Sequence, residues 1–331
     1  MTPAPLWLAA EMAALRAARD SGRMPHALLI HEAPGAGGEW LAAWAAQLVL
    51  CEAGAAAPCG ACRACRRVQA LQHPDLSWIR PLEDSRQIRI EQVRELGAEL
   101  ALTSHGGGYK VGIIAPADAL NRFAANALLK TLEEPPAATL LVLVATQPSR
   151  LPPTIVSRCQ RLRVRPPARS AASAWLTATR GAANWDAALD VLGEAPLLAA
   201  QSDAAELAAV GAETRATLEA LASGGGGADP VATAERWVRS QLPLRLLCFE
   251  RWLTDHIRRG ERGGGFLTEM RAAPYLSAGG AFLNIRELFG LMDDVRELRA
   301  TLDAPLNRGV ALEALFRRLT PSGRARSGEQ G

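Results

Sequence analysis

Four of the six cysteines fall within fifteen residues, as Cys51, Cys59, Cys62 and Cys65, and this C-x7-C-x2-C-x2-C spacing constrains the chain more than any other feature. Soft thiolates select zinc, and four of them close a tetrahedron that leaves no open position for water or substrate. A structural zinc holding a local lobe is therefore expected. Four free thiols packed into a core would be a poor alternative for a segment rich in glycine, alanine and arginine. Pro58-Cys59-Gly60-Ala61-Cys62 also matches half of a zinc deaminase signature. The H-x-E half is missing, because His31 and Glu32 are adjacent. Nor does His31-Glu32 open a metalloprotease helix, since Gly35 stands where the second histidine belongs. His73, in His73-Pro74-Asp75, reads as a turn residue, the four thiolates having already closed the site. Cysteines gathered this way fit a reducing cytoplasm and not a disulfide framework.

The remaining bounds are loose. A chain of 331 residues allows two or three domains at about 150 residues each. Hydrophobic residues at 49% and charged residues at 21% are ordinary for a globular protein, and the abundance of alanine favours helices. The net charge of +3 is spread without a dominant block, so no electrostatic footprint for nucleic acid is visible. The longest uncharged stretch, Pro135 to Ser149, has 15 residues and contains prolines, short of the roughly 20 apolar residues of a spanning helix. No membrane association is expected. The N-terminus runs into Glu11 without a basic segment, so no signal peptide is expected and the location should be cytoplasmic.

Short apolar runs alternate with helical patterns through the first half. Strands are expected at Ala27 to His31, Leu76 to Arg80, Lys110 to Ala115 and Leu140 to Thr146, and helices at Glu39 to Leu50, Ile90 to Leu102 and Asn121 to Glu134. Strands separated by helices predict a mostly parallel sheet covered on both faces. After Arg165-Pro166-Pro167 the strand signals stop. Trp175, Leu176, Trp185, Leu189 and Leu192 recur at helical spacing, and Ser223 with Gly224 to Gly227 forms a break. Two long amphipathic patterns follow, Val231 to Arg259 and Ile285 to Leu319. The expected order is an α/β domain over residues 1–166, a small helical domain over 167–205 and a larger helical domain over 206–331. Trp175, Trp185, Trp237 and Trp252 read as packing anchors.

Between the first strand and the first helix lies a glycine-rich turn with Gly35, Gly37, Gly38 and Glu39. Strand, glycine turn and helix is the context in which backbone N–H groups cradle phosphate. On the pattern G-x-x-x-x-G-K-[ST], however, the lysine falls on Gly38 and the magnesium-binding hydroxyl on Glu39. The strand from Lys110 likewise runs into Ala115 and Pro116, where acids would organise magnesium and water. The turn therefore reads as a phosphate loop without its charges, and no bound ATP is expected.

Two stretches carry a resemblance. Asn126-Ala127-Leu128-Leu129-Lys130-Thr131-Leu132-Glu133-Glu134-Pro135-Pro136 resembles the helix end of bacterial clamp-loader subunits, and Ser157-Arg158-Cys159 is similar to the Ser-Arg-Cys signature of the same AAA+ family. The four-cysteine module sits where those proteins insert it. The resemblance covers the first half in detail. It implies a RecA-like α/β domain, a helical lid, and a helical collar that oligomerises in a five-subunit ring with delta and gamma/tau subunits. That ring opens the sliding clamp and places it on primed DNA. Lacking both acidic and lysine motifs, this chain is similar to the member that does not hydrolyse ATP. The resemblance also implies that Arg158, flanked by Ser157 and Cys159, projects into a neighbour's ATP site. Two other readings compete: an active AAA+ ATPase with an atypical loop, and a free-standing zinc protein that binds DNA.

Overall fold

A computed structural model describes residues 4–82, 85–224, 228–262, 285–302 and 306–320. The chain divides into two compact units, Met1–Gly181 with Glu194–Leu198, and Ala182–Gly193 with Ala199–Gly331.

The first unit is built on five parallel strands, β1 (Ala27–Glu32), β2 (Leu76–Ile79), β3 (Lys110–Ile114), β4 (Thr139–Ala145) and β5 (Gln160–Val164), in the order β2-β3-β4-β1-β5. Parallel neighbours require crossovers, and helices supply them. α1 (Ala9–Asp20) precedes the sheet. α2 (Gly38–Leu50) and α3 (Arg63–Gln69) join β1 to β2, α4 (Ile90–Ala101) joins β2 to β3, and α5 (Arg122–Glu133) joins β3 to β4. A short α6 (Pro153–Val156) leads into β5, and α7 (Arg169–Arg180) follows it.

Strands β3 and β4 are buried at every residue, which is why they read as continuous aliphatic runs. Side-chain alternation in β1 then feeds two cores. Leu28 and Ile30 pack with Leu41, Ala45 and Leu48 of α2, whereas Ala27 and Leu29 pack with Leu96 of α4 and Leu128 of α5. Gly112 permits the close seating of α4, for a Cβ there would lie 3.0 Å from Leu96 Cδ1 and 3.2 Å from Leu141 Cδ1.

The four expected strands are present with ends shifted by a residue or two, and the expected helices appear as α2, α4 and α5. Strand β5 was not expected. It pairs with β1 at the sheet edge, and Gln160, Arg161 and Arg163 are exposed, so its composition gives no apolar run.

The second unit is helical. In chain order the helices after α7 are α8 (Trp185–Leu192), a single turn α9 (Pro196–Ala199) that belongs to the first unit up to Leu198, α10 (Ala204–Ser223), α11 (Pro230–Arg239), α12 (Leu242–Arg262), α13 (Ile285–Ala300) and α14 (Arg308–Leu319). Segment 167–205 contributes α7 to the first unit and α8 to the second. Each long pattern proves to be two helices. Ser240 and Gln241, the latter at φ +51°, separate α11 from α12. Residues 303–305, between α13 and α14, and residues 225–227 of the glycine break lie outside the described residues.

Trp237, fully buried, meets Phe316 edge-to-face with ring centroids 4.9 Å apart and Phe249 at 6.4 Å. Such pairs add about 0.5–1.5 kcal/mol beyond area burial. The buried Arg245 guanidinium lies over the same indole at 5.6 Å and is paired with Glu213 at 2.8 Å. That hydrogen bond holds the Glu213 carboxyl below the ordinary carboxylate range. Trp175, Trp185 and Trp252 are buried as well.

Asp75, just before β2, ties the loop after α4 to the sheet. Its buried carboxylate accepts from the N–H of His105 at 2.9 Å and of Gly106 at 3.2 Å, and Lys110 Nζ lies 3.3 Å away. Burial alone would raise its pKa, but the hydrogen bonds from His105, Gly106 and Lys110 prevail and bring it to about 2. A depressed carboxyl pKa stabilises the fold above the unfolded value of about 3.9 and loses that contribution as pH falls toward the folded one. Asp75→Asn should therefore cost about 1–3 kcal/mol at neutral pH. In urea titrations the gap between variant and wild type should close between pH ~4 and pH ~2.

Candidate functional site

The cysteine lobe follows directly from the end of α2. Cys51 is the residue after the helix, Cys59 and Cys62 sit in the following loop, and Cys65 lies in the first turn of α3. The lobe is knit by sulfur acceptors. Cys59 N donates to Cys51 Sγ at 3.4 Å, Cys62 N to Cys59 Sγ at 3.3 Å, and Cys65 N to Cys62 Sγ at 3.3 Å, so Cys62 also caps α3. A tetrahedral metal with sulfur bonds of about 2.3 Å has sulfur–sulfur edges of about 3.8 Å. Here Cys51 Sγ is 3.6 Å from Cys59 Sγ and 3.8 Å from Cys62 Sγ, and all four sulfurs lie within 4.8 Å of one another. The donor set fits a closed structural metal site. N–H groups of Ala61 and Cys62 directed at Cys59 draw its thiol down to about 6, whereas burial pushes Cys65 up. His73 stands apart in its turn, accepting from Asp75 N at 3.1 Å through Nδ1.

At the other end of α2 lies the glycine turn. Gly37 has φ +116° and caps the helix, and Gly38 is its first residue. The two N–H groups do not face an open cradle. Glu32, the last residue of β1, points into it, and Oε2 accepts from Gly37 N at 3.0 Å and Gly38 N at 2.5 Å. Burial raises the Glu32 pKa, the two amides oppose that rise, and Glu39 and Asp118 reinforce it. Glu39 faces outward to Arg80, Oε2 to Nη2 2.6 Å. Past β3, Ala115 is buried, and the nearest carboxylate along the chain, Asp118, is engaged by Thr146 Oγ1 at 2.9 Å and Gln147 N at 2.8 Å. Sequence reasoning placed the misplaced charge at Glu39 and missed Glu32. The signal was available: Glu32 occupies the first-glycine position of the phosphate-loop pattern.

Arg158 emerges from the turn after α6, on the surface. Its guanidinium donates to Thr154 O at 3.0 Å and pairs with Glu133 Oε1 at 2.8 Å, at the end of α5. The arginine is 37% exposed and the glutamate 51%. An exposed pair of this kind contributes about 0–1 kcal/mol, so it holds the side chain lightly. Ser157 Oγ donates to Thr154 O at 3.1 Å. Cys159 points the other way, into the core with Ile155 and Leu151. The three motif residues are thus near one another, but Arg158 alone presents a long polar side chain outward. The cysteine lobe, the glycine turn and Arg158 are separate places on one unit.

Fold and motifs together define an AAA+-like α/β subunit with a helical C-terminal part. A crystal structure of a DNA polymerase III gamma subunit-related protein from Thermotoga maritima shares the fold, with a TM-score of 0.51 at 14% identity over 95% of this chain and 99% of that one. Residues 8–168 match the family described as DNA polymerase III, delta subunit. DNA polymerase III subunit delta' of Pseudomonas aeruginosa is 35% identical over 88% of this chain and 90% of its own length. The Escherichia coli subunit delta' is 32% identical over 95% and 94%. DNA polymerase III subunit tau of Salmonella typhimurium is 38% identical over 42% of this chain and 21% of its own. The chain belongs to the DNA polymerase III subunit delta' family. The helix-end and Ser-Arg-Cys stretches pointed to clamp-loader subunits, and the missing lysine and acids to this member among them. No helix among the described residues is long and apolar enough to cross a membrane.

Burial pushes the Cys159 thiol up to about 11. At pH 8 that leaves about one thiolate in a thousand, and thiolate is the reactive form. Iodoacetamide should therefore leave Cys159 unmodified in the folded protein and label it in urea, read by peptide mass spectrometry. Equal labelling under both conditions would place the motif cysteine at the surface.

Proposed function

We propose that this chain is the delta' subunit of a bacterial clamp loader, which takes part in loading the sliding clamp on primed DNA without hydrolysing ATP itself. One observation carries the reading. The groups a chain needs to act on its own nucleotide are replaced, by Gly38, Glu39 and Ala115, while the arginine that acts across an interface, Arg158, is kept on the surface. Its partners in this reading are delta and gamma/tau subunits. Residues 167–205 serve as lid and 206–331 as collar. A guanidinium stays charged and offers a planar fork of donors to phosphate oxygens, so it can stabilise a transferring phosphoryl group from outside the chain that binds it. The weak pair with Glu133 is readily exchanged for a triphosphate, which carries more charge.

Arg158→Ala should fold and join delta and gamma/tau as wild type does. Hydrolysis at the adjacent ATP site should fall by up to about 10³, with slower clamp loading by the whole assembly. Arg158→Lys should rescue poorly, because an ammonium lacks the fork. Arg165→Ala, outside the motif, serves as control. Equal ATPase and loading rates for Arg158→Ala and wild-type assemblies of matched composition would remove the trans role.

In the same reading the metal is zinc, held by Cys51, Cys59, Cys62 and Cys65 to stabilise the lobe. Thiolate binding and local folding are coupled. Cys62→Ser should release zinc and speed hydrogen exchange over residues 54–67 while leaving exchange in β3 and β4 unchanged. Elemental analysis finding no zinc in freshly purified reduced protein would contradict it.

A further inference from the structure

Glu32 does more than end a strand. The residue is buried, 8% exposed, and Gly37 and Gly38, whose amides donate to its carboxylate, are buried too. Buried N–H groups require partners, and those at a helix N-terminus favour an anion. The rest of the turn is equally committed. Leu197 N donates to Gly35 O at 3.2 Å, and Trp7 Nε1 donates to Ala36 O at 2.7 Å. Side chains close over both glycines. A Cβ on Gly35 would lie 2.8 Å from Ala195 Cβ and 2.8 Å from Leu198 Cγ, and one on Gly37 would lie 3.1 Å from Leu8 Cδ1. The loop is thus held from outside by aliphatic side chains and filled from inside by a carboxylate.

We propose that Glu32 is an internal substitute for phosphate: its carboxylate occupies the anion cradle of the glycine turn, and this occupancy, beyond the missing lysine, shuts phosphate out. The proposal rests on reading the turn as a degenerate phosphate loop. It goes further in naming the residue that closes it and the ligand class, an oxyanion, that would return if it were removed.

Thermal unfolding of the full chain tests this, with inorganic phosphate titrated against chloride at equal ionic strength. Glu32→Ala should unfold at a lower temperature than wild type and regain about 3 °C or more with phosphate specifically. Wild type and Glu32→Gln, whose amide oxygen still fills the cradle, should show no phosphate-specific shift. If Glu32→Ala responds to phosphate and chloride alike, the carboxylate is a helix cap only and the proposal falls. Should Glu32→Ala fail to fold, Glu32→Ser, which also empties the cradle but keeps a short polar side chain, takes its place in the same titration, and an equal response to phosphate and chloride again overturns the proposal. Calorimetry of wild type with magnesium-ATP separates the two readings. Tight binding would remove the degenerate-loop reading and Glu32's role with it. Absence of binding keeps that reading whichever way the Glu32 variants behave.

Discussion

Burial of β3 and β4 on both faces is the constraint from which the first unit follows. A strand covered on both sides must be apolar along its length, so it can carry no chemistry except at its ends. Because all five strands run parallel, those ends emerge on one edge of the sheet. Glu32 and the glycine turn leave β1 there, Ala115 leaves β3, and Thr146 leaves β4. Polar side chains gather at strand ends for the same reason, these at one edge and Asp75 with Lys110 at the other. The carboxylates left there are absorbed locally, Glu32 by two amides, Asp118 by Thr146 and Gln147, and Glu39 by Arg80. These three carboxylates, among the described residues of this edge, each have an internal partner.

What the sequence revealed and what it hid divide along the range of the interactions. The cysteine cluster was legible because its four thiols lie within one short segment, at a spacing that suits a metal site. Buried strands were legible because burial on both faces leaves an aliphatic run. Strand β5 was not, since one of its neighbours is solvent and three of its five residues are polar. The long helical patterns were read through their breaks, although Pro243 in the first and Pro305 in the second were available as stop signals. The pairing of Arg158 with Glu133, across 25 positions of chain, depends on where α5 ends against α6. Glu32 was a different kind of miss. Its position in the phosphate-loop pattern was on the page, but the side chain could be taken for one more residue of a strand, and its aim toward Gly37 and Gly38 belongs to the folded turn.

The contact between Glu32 and Gly38 ties the two positions together. A side chain starting at Gly38 would put its Cβ 2.7 Å from Glu32 Cδ and 3.0 Å from Glu32 Cβ. Gly38→Lys, the change that would put a lysine where the phosphate-loop pattern has one, therefore forces the Glu32 side chain to shift. Changing Glu32 first leaves buried amides without an acceptor. Each change disturbs the other position, so Glu32 and Gly38 form a coupled pair whose substitutions should not add.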